Sequence, residues 1–104
     1  MSVLVEFAMF PTDKGESVSS YVSRVIDVID RSGFEYKLTP MGSVFETESM
    51  EDALNLLNEC YKTLDKDCNR VYATVKFDIR KNRSNRMKQK IESIESKLKK
   101  EVKK

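Results

Sequence analysis

The stretch Tyr36-Lys-Leu-Thr-Pro-Met-Gly-Ser-Val-Phe-Glu46 constrains this chain more than any other. Pro40-Met41-Gly42 is turn chemistry, and the alternation on both sides reads as two strands joined by a tight hairpin. A helical pattern flanks the hairpin on each side, and a strand pattern lies beyond each helix. A chain arranged symmetrically about a central hairpin has few ways to bury its apolar residues.

From Val3 to Phe10 the residues alternate, with Val3, Val5, Phe7 and Met9 on one face and Leu4, Glu6, Ala8 and Phe10 on the other. This is a strand, and Pro11 ends it because proline has no N–H for a ladder. Ser17 is the expected N-cap of a first helix carrying Val18, Tyr21, Val22, Val25, Val28 and Ile29 at helical spacing. Gly33 stops that helix. Phe34 to Leu38 and Ser43 to Glu48 are the hairpin strands. Ser49 caps a second helix, with Asp52 in its first turn, and its stripe is Met50, Ala53, Leu54, Leu57, Cys60, Tyr61 and Leu64. Arg70 to Arg80 is the longest strand, apolar at Val71, Ala73, Val75, Phe77 and Ile79. A third helix over residues 84–103 has a narrow stripe, Met87, Ile91, Ile94, Leu98 and Val102.

With 104 residues there is room for one domain and one core. No apolar run reaches the length of a membrane span, and the N-terminus enters a strand at once, so we expect no signal peptide and a cytoplasmic location. There is no histidine, which removes the commonest general base and transition-metal ligand together. Cys60 and Cys68 have no second pair to complete a zinc site, and read as one buried thiol on a helix and one near its end. The net charge of +2 hides an asymmetry. Residues 1–80 carry nine basic and fourteen acidic side chains, and residues 81–104 carry ten basic and three acidic. The basic third helix admits a further reading, nucleic-acid binding through residues 86–104, against which stands its lack of any aromatic residue for stacking on bases. Lys99, Lys100, Lys103 and Lys104 sit in its expected last turns, where cations favour the helix dipole.

The order is β-α-β-β-α-β plus a helix, an α+β fold of ferredoxin-like type: a four-stranded antiparallel sheet with two helices on one face. The apolar strand rows, including that of the fourth strand, should lie under those helices. The other face, with Glu6, Phe10, Tyr72, Thr74, Lys76 and Asp78, is too mixed for core. We expect that face, the sheet edges or the third helix to bury against a second copy.

This topology gathers Ser19, Ser20, Tyr21, Thr39, Gly42, Ser43 and Arg70 at one end of the molecule. A helix N-terminus with several hydroxyls suits a polar or anionic ligand, and it equally suits ordinary capping and turn chemistry. Glu6 and Glu46 each read as a cross-strand ion pair or as a carboxylate for an amino-heterocycle or cation. Asp78 and Arg80 suit an interface or an ion-pair network. No serine has a base partner and no phosphate loop is present, so an enzyme is not expected.

Several motifs occur together and in order. They are Glu6 with Pro11-Thr12, Ser17-x-Ser19-Ser20-Tyr21-Val22, Tyr36, Met41-Gly42-Ser43, Glu46, Arg70-Val71-Tyr72, Asp78-x-Arg80 and Lys90-Ile91-Glu92-Ser93-Ile94. In this the chain resembles the small YkoF-like, thiamine-binding protein family over nearly its whole length. It departs in having Ser43 where the family turn usually has Thr, and Thr47 where Gly or Ala often follows the glutamate. The resemblance implies a ferredoxin-like fold and dimers that pair into homotetramers. It also implies binding of thiamine or its hydroxymethylpyrimidine part, with no cofactor. An aminopyrimidine wants a carboxylate or hydroxyl on its polar edge, and a thiazolium wants an aromatic face or negative charge. Glu6, Ser20, Tyr21, Thr39, Gly42, Ser43, Glu46, Tyr72 and Thr74 are the ligand-binding residues this reading selects. The competing reading is an oligomeric interaction module with no retained ligand binding.

Overall fold

The computed structural model describes residues 1–103. Its elements run β1 (Ser2–Pro11), α1 (Ser19–Ser32), β2 (Glu35–Thr39), β3 (Gly42–Thr47), α2 (Met50–Asp65), β4 (Val71–Arg80) and α3 (Arg86–Leu98). The strands form one antiparallel sheet in the order β2-β3-β1-β4. This is the expected ferredoxin-like βαββαβ arrangement with an added C-terminal helix. Among the described residues no helix is long and apolar enough to cross a membrane.

Period-two patterning puts Val3, Val5, Phe7 and Met9 of β1 under the helices, where they meet Val25 and Ile29 of α1 and Ala53, Leu56, Cys60 and Leu64 of α2. Phe45 of β3 completes the core and meets Phe7 edge-on, with ring centroids 5.7 Å apart. Gly33 closes α1 in the left-handed conformation, φ 83°. Ser49 caps α2 as expected, its hydroxyl accepting from the Asp52 amide at 3.0 Å.

Several expectations are corrected. Ser17 is not a cap: α1 begins at Ser19, Val18 takes the cap position without a side-chain bond, and the Val18 carbonyl accepts from the amides of Tyr21 and Val22. The preceding turn is tied to the approach to β4 instead, through Thr12 N–H to Arg70 O and Asn69 N–H to Asp13 Oδ2. On α2 the buried stripe runs through Leu56, while Leu54 and Tyr61 face solvent. α3 stops at Leu98, because Lys99 turns left-handed and its amide bonds back to Glu95 O. Val102, Lys99, Lys100 and Lys103 therefore lie past the helix, and Lys104 lies outside the described residues.

The largest correction concerns β4. α1 rests on β1 and β2, and α2 on β1 and β3. From β4 only Val71 packs against the core. Phe77 is 37% and Ile79 47% exposed although both sit on the helix side of the sheet, opposite Val5 and Val3. On the other face α3 crosses β1 and β3, and its Met87 and Ile91 share with Leu4 and Val44 the lining of a groove of about 410 Å³. The mixed face is thus partly roofed by the chain itself.

Candidate functional site

At the hairpin end a cleft of about 320 Å³ opens between α1, the end of β1 and the β2–β3 turn. Val22, Val25 and Ile26 of α1 form one wall, Leu38 to Ser43 another, and Phe7 to Phe10 of β1 the third. No Asp, Glu, Lys, Arg or Tyr lines it. Its polar groups come from the turn. Thr39 donates its hydroxyl to Gly42 O at 2.8 Å and accepts from Met41 N–H at 3.3 Å, which pins the turn. Gly42 is obligatory there, since a Cβ would come within 2.8 Å of the Phe7 carbonyl oxygen. Ser43 is only 4% exposed, and its hydroxyl has no hydrogen-bond partner among the described residues. Its oxygen is not among the buried unpartnered side-chain atoms, so it opens onto the cleft, where it can donate to or accept from a ligand.

The third wall has an unusual cause. Four consecutive residues, Phe7 to Phe10, border the cleft, so it meets β1 at its edge and not at a face. β1 is longer than β3, and their pairing ends at Phe7 opposite Ser43. Thr12 N–H donates to Arg70 O at 2.9 Å, so the even-numbered residues of β1 exchange bonds with β4 and the odd-numbered ones face β3. Val3, Val5 and Phe7 find partners there. Met9 finds none: the position opposite it is Met41, whose amide goes to Thr39 and whose side chain points to solvent.

The residues selected from sequence do not converge on one place. Thr39, Gly42 and Ser43 meet at this cleft. Ser20 and Tyr21 are near the start of α1 but outside the lining; the Ser20 carbonyl accepts from the Ser23 hydroxyl, and Tyr21 lies under the Arg24 guanidinium at 4.8 Å. Glu6, Tyr72 and Thr74 are on the opposite face of the sheet. Glu6 faces Lys76 directly, at 3.8 Å and well exposed, so that pair contributes little. Tyr72 leans on Phe10, centroids 5.9 Å apart, and Phe10 also borders the cleft.

Glu46 sits at the far end and is engaged in holding α3. It accepts from the Ser2 hydroxyl at 2.5 Å and from the amides of Arg86 and Met87, an anion on a helix N-terminus. Burial alone would raise its pKa, but these donors and the Arg86 charge outweigh it and hold the carboxyl below the usual carboxylate range. Arg86, 2% exposed, donates to the Ser2 hydroxyl and carbonyl and to the Asp78 carbonyl. It also pairs with the Asp78 carboxylate at 2.9 Å, and Lys90 adds a second cation at 3.3 Å. Asp78 is thereby held below its ordinary pKa, Arg86 being the main cause. Sequence reading placed Asp78 in an ion-pair network with Arg80, but its partners are Arg86 and Lys90; Arg86 and Ser2 were missed, because their roles depend on the first strand residue meeting the last helix.

With this geometry in place, comparison with known proteins is direct. The sequence profile of the family described as "Thiamine-binding protein" matches residues 5–95. A UPF0045 protein of Methanocaldococcus jannaschii is 32% identical over 92 residues, spanning 88% of this chain and 91% of that one. A UPF0045 protein of Mycobacterium bovis is 30% identical over 95 residues, 91% of this chain and 93% of the other. The solved structure of the M. jannaschii protein matches with a TM-score of 0.80 over 89% of this chain and 95% of that one. A Thermotoga maritima protein, named for thiamine biosynthesis or salvage, has the same fold at 17% identity, with a TM-score of 0.78 over 90% of this chain and 99% of that one. By profile and by identity across nearly its whole length, this chain belongs to the thiamine-binding protein family.

Proposed function

We propose that this protein binds thiamine or its hydroxymethylpyrimidine part in the hairpin-end cleft, without catalysing a reaction on it. The observation that carries the reading is the Ser43 hydroxyl, free of any protein partner and opening onto a mostly apolar cleft. The cleft is at the low end of the ~300–1,000 Å³ usual for small-molecule sites, the size for a single ring or the ring head of a longer ligand. The absence of titratable side chains in the lining favours binding over acid–base chemistry. The family description agrees with the ligand class.

The same proposal includes self-association. The uncovered row Val75, Phe77 and Ile79 on an edge strand suits a second copy. The radius of gyration, 15.1 Å, exceeds the roughly 13 Å of a compact domain this long.

The test is thermal melting with thiamine, thiamine phosphates and hydroxymethylpyrimidine, on the parent and on Ser43→Ala. Ligand at ~100 times its dissociation constant adds about 2.7 kcal/mol, a shift of several degrees. Ser43→Ala should keep or raise the unliganded melting temperature while shrinking the ligand shift. No shift with any of the compounds refutes the ligand reading and leaves the interaction module. A monomeric mass by light scattering refutes self-association.

A further inference from the structure

We propose that the unpaired edge of β1 at Met9 is the recognition element of the cleft, and that it selects planar rings with an amidine or lactam edge. This rests on the cleft being the ligand site. In an antiparallel ladder, a residue in a hydrogen-bonded pair exchanges both its N–H and its C=O with the residue opposite. Met9 occupies such a position, and its opposite residue has turned away at Met41. What is missing beside Met9 is therefore one acceptor and one donor, side by side, in the plane of the sheet. A ring bearing a nitrogen acceptor next to an exocyclic N–H, or a ring N–H next to a carbonyl, supplies that pair.

Three observations limit the occupant to a small ring. The next outward-facing residue along β1 is Pro11, which has no N–H, so a peptide strand could not continue the ladder. On the other side the Gly42 backbone closes against the Phe7 carbonyl. The apolar walls from α1 and the turn flank the edge as the faces of a sandwich. Met9 is itself only 8% exposed, so its N–H and C=O are largely removed from water. Bonds made there discriminate strongly, because a ligand lacking one leaves a buried group unpaired. The Ser43 hydroxyl, which donates or accepts by rotation, is a third contact beside the edge.

The experiment is calorimetric titration of the intact protein with three probes: hydroxymethylpyrimidine, its analogue lacking the amino group, and its dimethylamino analogue. Amide spectra of 15N-labelled protein are recorded alongside. Hydroxymethylpyrimidine should bind at least about 100-fold more tightly than either analogue, and the Met9 amide resonance should move on binding. Comparable affinity for all three, or a Met9 amide that stays put while the pyrimidine binds, overturns the edge reading and leaves the cleft as the ligand site. Failure of hydroxymethylpyrimidine itself to bind overturns both.

Discussion

Replacing Arg86 with alanine should loosen α3 from the sheet and lower the stability of the whole protein. The side chain is almost fully buried and donates to the Ser2 hydroxyl and carbonyl, both at 2.9 Å, and to the Asp78 carbonyl. Hydrogen bonds to a charged group contribute about 1.5–3 kcal/mol each, but the freed carbonyls regain water as the helix lifts. The Asp78 carboxylate is half-exposed, so its ion pair adds little. A net loss of about 2–4 kcal/mol follows. At about 4–8 °C per kcal/mol for a domain of this size, the melting temperature should fall by roughly 8–32 °C. Lys81 and Arg83 in the loop 81–85 between β4 and α3 are already exposed, so undocking should speed tryptic cleavage there by freeing the loop to fit the protease. The assay is circular-dichroism melting together with a trypsin time course, on Arg86→Ala, Arg86→Lys and Arg86→Met. Lysine restores charge without the planar fork and should rescue only part of the loss. Parent-like melting and parent-like cleavage in Arg86→Ala would refute the argument that this network holds α3.

Acid should weaken the same contact. Glu46 and Asp78 have folded-state pKa values below their unfolded ones, so their contribution is present above the unfolded value near ~4 and is lost as pH falls through the folded value. Urea midpoints should drop below about pH 4, and Glu46→Gln should flatten that drop; an unchanged profile in the variant contradicts the assignment. Gly42→Ala should destabilise by about 1–3 kcal/mol, since its Cβ meets backbone and not a movable side chain; denaturant midpoints check this. Cys60 is fully buried and its thiol is pushed up to about 12 by burial, so native protein at mildly alkaline pH should resist alkylation there until it unfolds. Rapid labelling of native Cys60 by mass spectrometry would contradict that.

Legibility differed from element to element. Period-two and period-3.6 patterns placed the strands and helices because those periods are local properties of the backbone. The turn residues Thr39, Gly42 and Ser43 were legible for the same reason, and they do meet at the cleft. Leu54 and Leu56 on α2 were not separable by pattern, since both fall near the margin of an amphipathic stripe and only the neighbouring helix decides which is covered. Glu46 carried two readings, and its engagement by the start of α3 depended on a contact forty residues distant. Arg86 and Ser2 gave no local signal, because each has a role only when the two ends of the chain meet. The sole hint of the free edge at Met9 was an expected first strand longer than the third.

By itself, then, the sequence determined the order of elements, the split βαβ topology and the hairpin chemistry at residues 39–43, all of which follow from steric and periodic rules acting over a few residues. Tertiary structure alone decided which face of β4 is covered, where α3 lies, which carboxylate remains available and where a strand edge is left without a partner. Those outcomes depend on relative lengths and seating of elements far apart in the chain. Burial and hydrogen-bond satisfaction settle them only once the whole sheet is assembled.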